Sequence, residues 1–250
     1  MHNSRDIWPD ISQQIAGCID KLGSGEFYPR FFQMMKHLVH VDQYMVFEFS
    51  PNGDYATCRL AHNIEHPDLG VELASLYLDG AYLDDIMLKE LKESLLSQMD
   101  VASCRLLEKR KLPPVYRQRF FNVPNFDTKF SFVVMDRKSQ HIFYINFYSK
   151  IEHSFAEEQL DSLKSISSLI GSLLLKHFRD ERKQRGTIKS LLASGLSERE
   201  SQICNMILQG HTAKSIGNHL ELSESTVITY KKRAFKKLRI NRKSELVRFI

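Results

Sequence analysis

The chain has 250 residues, of which 42% are hydrophobic and 26% are charged, and this length predicts about two globular domains. No apolar stretch reaches the roughly 18 uninterrupted residues of a membrane span, and the first residues lack a secretory signal pattern. We therefore expect a cytoplasmic protein without membrane contact. Its four cysteines are widely scattered, which predicts reduced thiols and neither a metal site nor a cofactor.

The charge of the chain is unevenly distributed. Residues 179–250 carry 16 Lys and Arg against 7 Asp and Glu, a balance of +9, whereas residues 1–178 carry 19 against 23, a balance of −4. A basic end attached to a mildly acidic remainder is typical of a polyanion-binding module joined to another domain.

The first 178 residues alternate between helical and extended patterns, and residues 1–178 are predicted to form one α+β domain, an antiparallel sheet with packed helices. In chain order we expect helices at 11–22 and 25–39, a hairpin of strands 44–50 and 55–63 around the turn PNGD, helices at 68–78 and 83–98, and a second hairpin turning at 137–140.

Aromatic residues are concentrated in the predicted strands, where they either fill the core or line a pocket. The core explanation is favoured for each one taken singly; the residues are Tyr44, Phe47, Phe49, Phe130, Phe132, Phe143, Tyr144 and Phe147. Tyr77, Tyr82 and Asp85 are better candidates for contacts with a small apolar signal molecule, because polar groups beside apolar walls suit small ligands.

A long helical pattern follows at 157–185, with Leu163, Ile166, Ile170 and Leu173 on one stripe. The stripe either packs on the sheet of its own domain or pairs with a second chain. Residues 179–192 are basic and are predicted to be a flexible linker to a second domain at 193–250.

Helix signals are dense in the last segment. Ser197 and Glu200 form a capping-box pattern, Thr212 and Ser223 can cap two further helices, and a fourth helix is expected from about residue 243 to Ile250. Two short helices joined by a tight turn predict a helix-turn-helix, so this domain is expected to be all-α with four helices.

The third of these helices has a basic face. Six of the fourteen residues in TVITYKKRAFKKLR are basic, Val227, Ala234 and Leu238 fall on the core stripe, and Tyr230 lies at its edge. Such a helix suits the major groove of double-stranded DNA. The predicted DNA-contacting residues are Ser223, Ser225, Thr226, Ile228, Thr229, Tyr230, Lys231, Lys232, Arg233, Lys236 and Lys237.

The segment LSERESQICNMILQGHTAKSIGNHLELSESTVITYKKRAFKKLRINRKSEL resembles the C-terminal DNA-binding domain of LuxR-type bacterial transcription regulators. The resemblance implies that the third helix enters the major groove and that the fourth can pair with a second copy. It assigns base-facing positions to Ile228, Thr229 and Lys232. Many members have Lys at the position of Ile228, so Ile228 either meets a thymine methyl group or covers the edge of the core.

The N-terminal layout resembles GAF- and PAS-like sensors and the sensor domains of LuxR-type regulators. The segment YLDGAYLDDIML resembles a subgroup of those regulators. Receptors for acyl-homoserine lactones in the family have several tryptophans in the pocket, whereas this chain has only Trp8, so a lactone is not the expected signal.

One stretch resembles an enzyme motif. HNIEH, with His62 and His66, matches the H-x-x-E-H pattern of a class of zinc peptidases. That chemistry needs both histidines on one continuous helix, and Pro67 opposes helical geometry at His66. We therefore expect a surface loop, no catalytic residues and no enzyme activity.

The sequence thus predicts a quorum-sensing-like regulator that binds an inverted-repeat operator as a homodimer and responds to a small molecule. One alternative is a DNA-binding regulator whose N-terminal half is a ligand-free interaction or dimerisation module. A remote alternative is a metal hydrolase with a DNA anchor.

Overall fold

The computed structural model describes residues 7–53, 55–97 and 104–249, with side chains from residue 11 onward except those of 96 and 97. Four features named in the sequence analysis therefore lie outside the described parts: the side chain of Trp8, Asp54 of the PNGD turn, Gln98 and Ile250. The N-terminal elements are α1 (Ile7–Ile19), α2 (Phe27–Leu38), β1 (Gln43–Phe49), β2 (Ala56–Asn63), α3 (Pro67–Leu78), a 3₁₀ turn (Ala81–Asp84), α4 (Ile86–Ser97), β3 (Cys104–Glu108), α5 (Pro114–Arg117) with a π-helical turn (Gln118–Asn122), β4 (Thr128–Met135), β5 (Ile142–Ser149) and a 3₁₀ turn (Ile151–His153). They are followed by α6 (Glu157–Ala193), α7 (Glu198–Leu208), α8 (Ala213–Leu220), α9 (Glu224–Leu238) and a 3₁₀ segment (Lys243–Phe249).

The five strands form one antiparallel sheet in the order β2-β1-β5-β4-β3. Both expected hairpins are present, and they meet where β1 pairs with β5. Strand β3 is an addition that the sequence did not indicate. It is short and partly exposed at the sheet edge, so it lacks the alternating pattern by which half-buried strands are recognised.

Helices cover both faces of the sheet. Buried residues of α2 and α6 pack on one face, and buried residues of α3, α4 and the π-helical turn pack on the other. Strand β1 is consequently buried along its whole length. The aromatic residues of the strands are divided between the two cores: Tyr44, Phe130, Phe132, Phe143 and Phe147 on the first, Phe47, Phe49 and Tyr144 on the second.

The apolar stripe of α6 packs on the sheet of its own domain. Leu163, Ile166, Ile170 and Leu173 are all at least 94% buried there. The helix approaches β4 so closely that a Cβ at Gly171 would lie 2.5 Å from Cγ1 of Val134. The stripe is therefore not exposed for pairing with a second chain.

The expected flexible linker at 179–192 is helical, because α6 continues to Ala193. Its residues are mostly strong helix formers, and Arg185 forms an i,i+4 ion pair with Glu181 at 2.9 Å. The chain nevertheless divides into two compact units between residues 178 and 179. Among the described residues, no helix combines the length and the apolar character that a membrane crossing requires.

The C-terminal unit has a core of its own, built around α7, α8 and α9. Its last segment is a 3₁₀ helix at Lys243–Phe249 rather than the expected α-helix. Leu246 is fully buried in this core, and Ser190 donates a hydrogen bond to the carbonyl of Phe249 at 2.6 Å. The face that the sequence offered for pairing is thus partly used within the domain.

Candidate nucleic-acid interface and candidate ligand cavity

The helix boundaries of the C-terminal domain are set by three side-chain caps. The Ser197 hydroxyl accepts from the backbone N–H of Glu200, whose carboxylate accepts from the Ser197 N–H, which confirms the capping box. Thr212 caps α8, and Ser223 caps α9 by accepting from the N–H of Thr226 at 3.1 Å. Each cap satisfies backbone donors that a helix N-terminus leaves unpaired.

The turn between α8 and α9 requires close approach of the backbone. The Leu222 N–H donates to the carbonyl of Gly217 at 2.8 Å, and a Cβ at Gly217 would lie 2.6 Å from the Leu222 carbonyl oxygen. Glu221 adopts a left-handed conformation with φ of 55°, which reverses the chain in a few residues. This geometry joins α8 and α9 as a helix-turn-helix.

Helix α9 has a buried face and a basic face. Val227, Ala234 and Leu238 are buried as expected, together with Phe235, which the sequence reading left out of the core stripe. Every predicted DNA-contacting side chain is at least partly accessible. Thr226 and Tyr230 are half-buried, and the exposed ones are Ser223, Ser225, Ile228, Thr229, Lys231, Lys232, Arg233, Lys236 and Lys237.

The exposed cations differ in what they contact. Within the described residues, Lys232 and Lys236 have no acidic partner within salt-bridge distance. Lys231 and Arg233 lie over the rings of Phe235 and Tyr230, at 5.4 and 6.0 Å from the ring centroids. Lys232 and Lys236 are therefore the cations of this face that are most available to an external anion.

Lys237 has a structural contact that the sequence reading missed. Its Nζ donates to Oε2 of Glu200 at 2.6 Å, and the Glu200 side chain is only 4% exposed. Burial would raise the pKa of Glu200, but the Lys237 ammonium group and the bonds from Ser197 hold it below its ordinary value. The prediction that Lys237 contacts DNA thus omitted this link between α9 and α7.

In the N-terminal domain, Asp85 is the centre of a buried polar cluster. Its Oδ2 accepts hydrogen bonds from Tyr77 at 2.9 Å and from Tyr116, Tyr144 and Lys129 at 3.2 Å each. Oδ1 accepts from a backbone N–H of α4 at 3.2 Å. The carboxylate is therefore satisfied from within the chain.

Burial and the charges within this cluster shift the pKa values of its side chains. Burial would raise the pKa of Asp85, but the Lys129 ammonium group and the hydrogen bonds from Tyr77 and the backbone hold it below the ordinary value. Burial lowers the pKa of Lys129, and the attraction of Asp85 offsets part of that effect. Burial is the main cause that raises the pKa of Tyr77, and the nearby negative charge of Asp85 raises it further.

A cavity of about 240 Å³ lies beside this cluster. Asp85 and Tyr116 line it together with apolar residues such as Leu107. The lining also contains four other charged residues: Asp84, Glu90, Arg105 and Lys111. Of the three side chains expected to contact a ligand, the structure places only Asp85 on this wall.

The other two expected ligand contacts are not part of the lining of this cavity. Tyr77 is 2% exposed and supports Asp85 from the core side. Tyr82 packs near Phe49 and Tyr77, at 5.6 and 6.3 Å between ring centroids. Sequence reasoning missed Lys129, although a lysine on the same strand face as Ser131 and Val133 is a signal for a buried charge.

The HNIEH stretch does not form the helix that zinc-peptidase chemistry needs. His62 lies in β2 with its ring stacked on Phe32 at 4.1 Å between centroids. His66 is the residue before α3, where Pro67 begins the helix. The two histidines are therefore not on one face of a helix.

Comparison with known proteins agrees with this geometry. Residues 194–250 match the family of bacterial regulatory proteins, luxR family. The lactone-dependent LuxR-family transcription factor CepR2 from Burkholderia cenocepacia is 12% identical, with a TM-score of 0.50 over 70% of this chain and 99% of that chain. Comparison with curated proteins gave no match.

Two further solved structures are similar at lower TM-scores. The VqsR LBD domain from Pseudomonas aeruginosa is 17% identical, with a TM-score of 0.49 over 68% of this chain and 97% of that chain. SdiA from Escherichia coli is 14% identical, with a TM-score of 0.41 over 100% of this chain and 90% of that chain.

The fold and the interface define a DNA-binding regulator with a C-terminal helix-turn-helix domain. That domain, residues 194–250, is of the luxR family, and about 70% of the chain shares the fold of the CepR2 structure.

Proposed function

We propose that this protein is a cytoplasmic, sequence-specific transcription regulator that binds an inverted-repeat operator as a homodimer and responds to a small molecule through residues 1–178. The observation that carries the proposal is the solvent-facing basic side of α9, which starts at the Ser223 cap of a luxR-family domain. Lys232 and Thr229 on that side are positioned to read base edges, and Lys236 to meet phosphate.

The hydrogen bonds at the start of α9 refine these roles. The Thr229 hydroxyl donates to the carbonyl of Ser225 at 2.9 Å, so it meets a base as an acceptor. Ser223 bonds Ser225 and Thr226 within the cap, which fixes the first turn of the helix. Ile228 is 38% exposed and outside the core cluster, which favours contact with a thymine methyl group over a role at the core edge.

Two-fold pairing is proposed because a single helix-turn-helix buries only a modest area on DNA. Dimeric proteins of this kind read half-sites about one helical turn apart. The sequence suggested two apolar surfaces for pairing, the stripe of α6 and the last helix with Leu246. Both the stripe and Leu246 are buried within their own domains, so neither is freely available to a second chain. Val247, 60% exposed on the last 3₁₀ segment, remains as an apolar contact for a second copy.

The signal is proposed to enter the cavity beside Asp85. Its volume of about 240 Å³ lies just below the range of roughly 300–1,000 Å³ found for ligand pockets, which favours a compact metabolite. CepR2 is described as lactone-dependent. A lactone remains disfavoured for this chain, because Asp85 already accepts hydrogen bonds from Lys129 and three tyrosines.

A ligand-free interaction module is the second candidate for residues 1–178. The self-contained hydrogen bonding of Asp85 favours it, because a fully satisfied carboxylate offers an incoming ligand little gain.

Selection of bound fragments from a random DNA pool tests the proposed function. The full chain should enrich one inverted repeat, and an Ile228→Lys variant should enrich a different one, because a base contact changes from a methyl group to a hydrogen-bond donor. A matched Lys164→Ala variant on the exposed side of α6 should select the same repeat as the unmodified chain. Recovery of fragments without a shared sequence would contradict the proposal.

A further inference from the structure

Three side chains of metal-binding types, two histidines and one aspartate, meet at one end of the sheet. His40 and Asp42 lie in the loop between α2 and β1, and His153 ends the 3₁₀ turn that precedes α6. One ligand atom from each residue lies within 4.8 Å of the other two. No sequence pattern indicates this cluster, because Asp42 and His153 are 111 positions apart in the chain.

The distances in the cluster suit a single ion. Nε2 of His40 lies 3.2 Å from Oδ1 of Asp42, and Nδ1 of His153 lies 2.9 Å from the same oxygen. Ligand bonds of about 2.0–2.1 Å at tetrahedral angles place neighbouring ligand atoms about 3.3 Å apart. The three side chains thus need only small movements to bind one ion.

The carboxylate is held by the fold with one oxygen directed at the histidines. Asp42 Oδ2 accepts from the backbone N–H of Lys150 at 2.7 Å. The Asp42 backbone donates to Tyr148 at 2.9 Å and accepts from Ile64 at 3.0 Å. Hydrogen bonds of this kind orient a carboxylate ligand, which raises metal affinity.

The histidines leave room for further ligands. The side chains of His40 and His153 are 49% and 35% exposed, whereas that of Asp42 is 5% exposed. An ion bound by all three would therefore keep at least one position open to water. Two imidazoles and one carboxylate favour zinc and similar transition ions over Mg²⁺ or Ca²⁺, which prefer oxygen ligands only.

We propose that His40, Asp42 and His153 form a binding site for Zn²⁺ or a similar divalent transition ion. A bound ion joins the loop that leads into β1 to the turn that leads into α6. Because the unfolded chain does not hold these groups together, binding stabilises the N-terminal domain by mass action.

Calorimetric titration of tag-free, chelator-treated full-length protein with ZnCl₂ tests the site. We expect one ion per chain, and at least tenfold weaker binding in His40→Ala and His153→Ala variants. His66→Ala is the matched control, since His66 is an exposed histidine of the same domain outside the cluster. It should bind zinc as the unmodified chain does.

A second measurement separates binding from folding. Zinc should raise the thermal midpoint of the unmodified chain and of His66→Ala, but not that of His40→Ala, whose metal-free circular dichroism should be unchanged. Co²⁺ in place of zinc should give a visible absorption band that His153→Ala abolishes. The proposal would be overturned by absence of stoichiometric zinc binding, or by His40→Ala and His153→Ala variants that bind zinc as tightly as the unmodified chain. Loss of binding in His66→Ala would also overturn it, because the ion would then lie elsewhere.

Discussion

Lys129 and Asp85 form an ion pair in the interior of the N-terminal domain, with Nζ 3.2 Å from Oδ2 and side-chain exposures of 0% and 3%. Three tyrosine hydroxyl groups complete the cluster: Tyr77 and Tyr116 donate to Asp85, and Tyr144 accepts from Lys129. Breaking such a pair by removing one partner is costly, because the other charge remains buried without compensation.

Asp85→Asn is therefore expected to lower the free energy of unfolding by about 3–5 kcal/mol at neutral pH. Lys129→Met should cost a similar amount, and the double variant should cost less than the sum of the two. Urea unfolding of the four proteins measures the coupling. Additive losses would mean that the two side chains stabilise the fold independently.

The loss of stability in Asp85→Asn should change with pH in a defined direction. The lowered pKa of Asp85 means that its contribution to stability is present above its ordinary value of 3.8 and is lost as the pH falls through the folded value. Burial lowers the pKa of Lys129 because a buried ammonium group loses its hydration. Burying Lys129 therefore destabilises the fold least at high pH, where the amine is neutral. The difference in free energy of unfolding between the unmodified chain and Asp85→Asn should thus shrink as the pH rises towards 10. A difference that stays constant would mean that the charge of Lys129 does not cause the loss of stability.

Lys232→Ala should reduce affinity for the selected operator by about 1–3 kcal/mol and relax its sequence preference. Lys236→Ala should weaken binding to all DNA sequences alike and reduce the slope of log affinity against log salt by about 1. Titrations at several salt concentrations on operator and scrambled DNA separate the two effects. If Lys232→Ala kept full selectivity, the assigned orientation of α9 would be wrong.

Lys237→Ala should act on stability as well as on DNA. Removing the ammonium group leaves Glu200 nearly buried without its cation, at a cost of about 1–2 kcal/mol. Lys236→Ala, on the same helix but solvent-facing, should change stability by less than about 0.5 kcal/mol. Urea unfolding of residues 179–250 measures both, and equal stabilities would mean that the Lys237 contact contributes nothing.

Removing residues 1–178 should leave a folded domain that binds one half-site, because residues 179–250 have their own core. Its affinity for the full operator should fall by at least tenfold, since the second domain is no longer held at high effective concentration. Gel-shift titrations with both proteins compare affinity and stoichiometry. Equal affinity would place the whole dimer contact in the C-terminal domain.

A compact metabolite that occupies the cavity should raise the thermal midpoint of the full chain, and the rise should increase with the logarithm of its free concentration above the dissociation constant. Leu107→Trp should abolish the response, because the larger ring fills the cavity that Leu107 lines. Ile19→Trp, an exposed site on α1, is the control and should respond normally. Silence across a metabolite library, with no compound retained in native mass spectrometry, would favour the ligand-free module.

Local signals were sufficient where a structure depends on residues close in sequence. The caps at Ser197, Thr212 and Ser223, the buried face of α9 and both hairpins were predicted because hydrogen bonds and periodicity within a few residues determine them. The basic character of residues 179–250 likewise follows from composition alone.

The tertiary structure decided the features that depend on long-range contacts. Only packing shows that the stripe of α6 belongs to its own sheet and that Lys129 neutralises Asp85 across 44 residues. The same holds for the meeting of Asp42 with His153. Charged and metal-binding groups are stable in such places only because the fold brings their partners within hydrogen-bonding distance, and no local pattern encodes which partners those are.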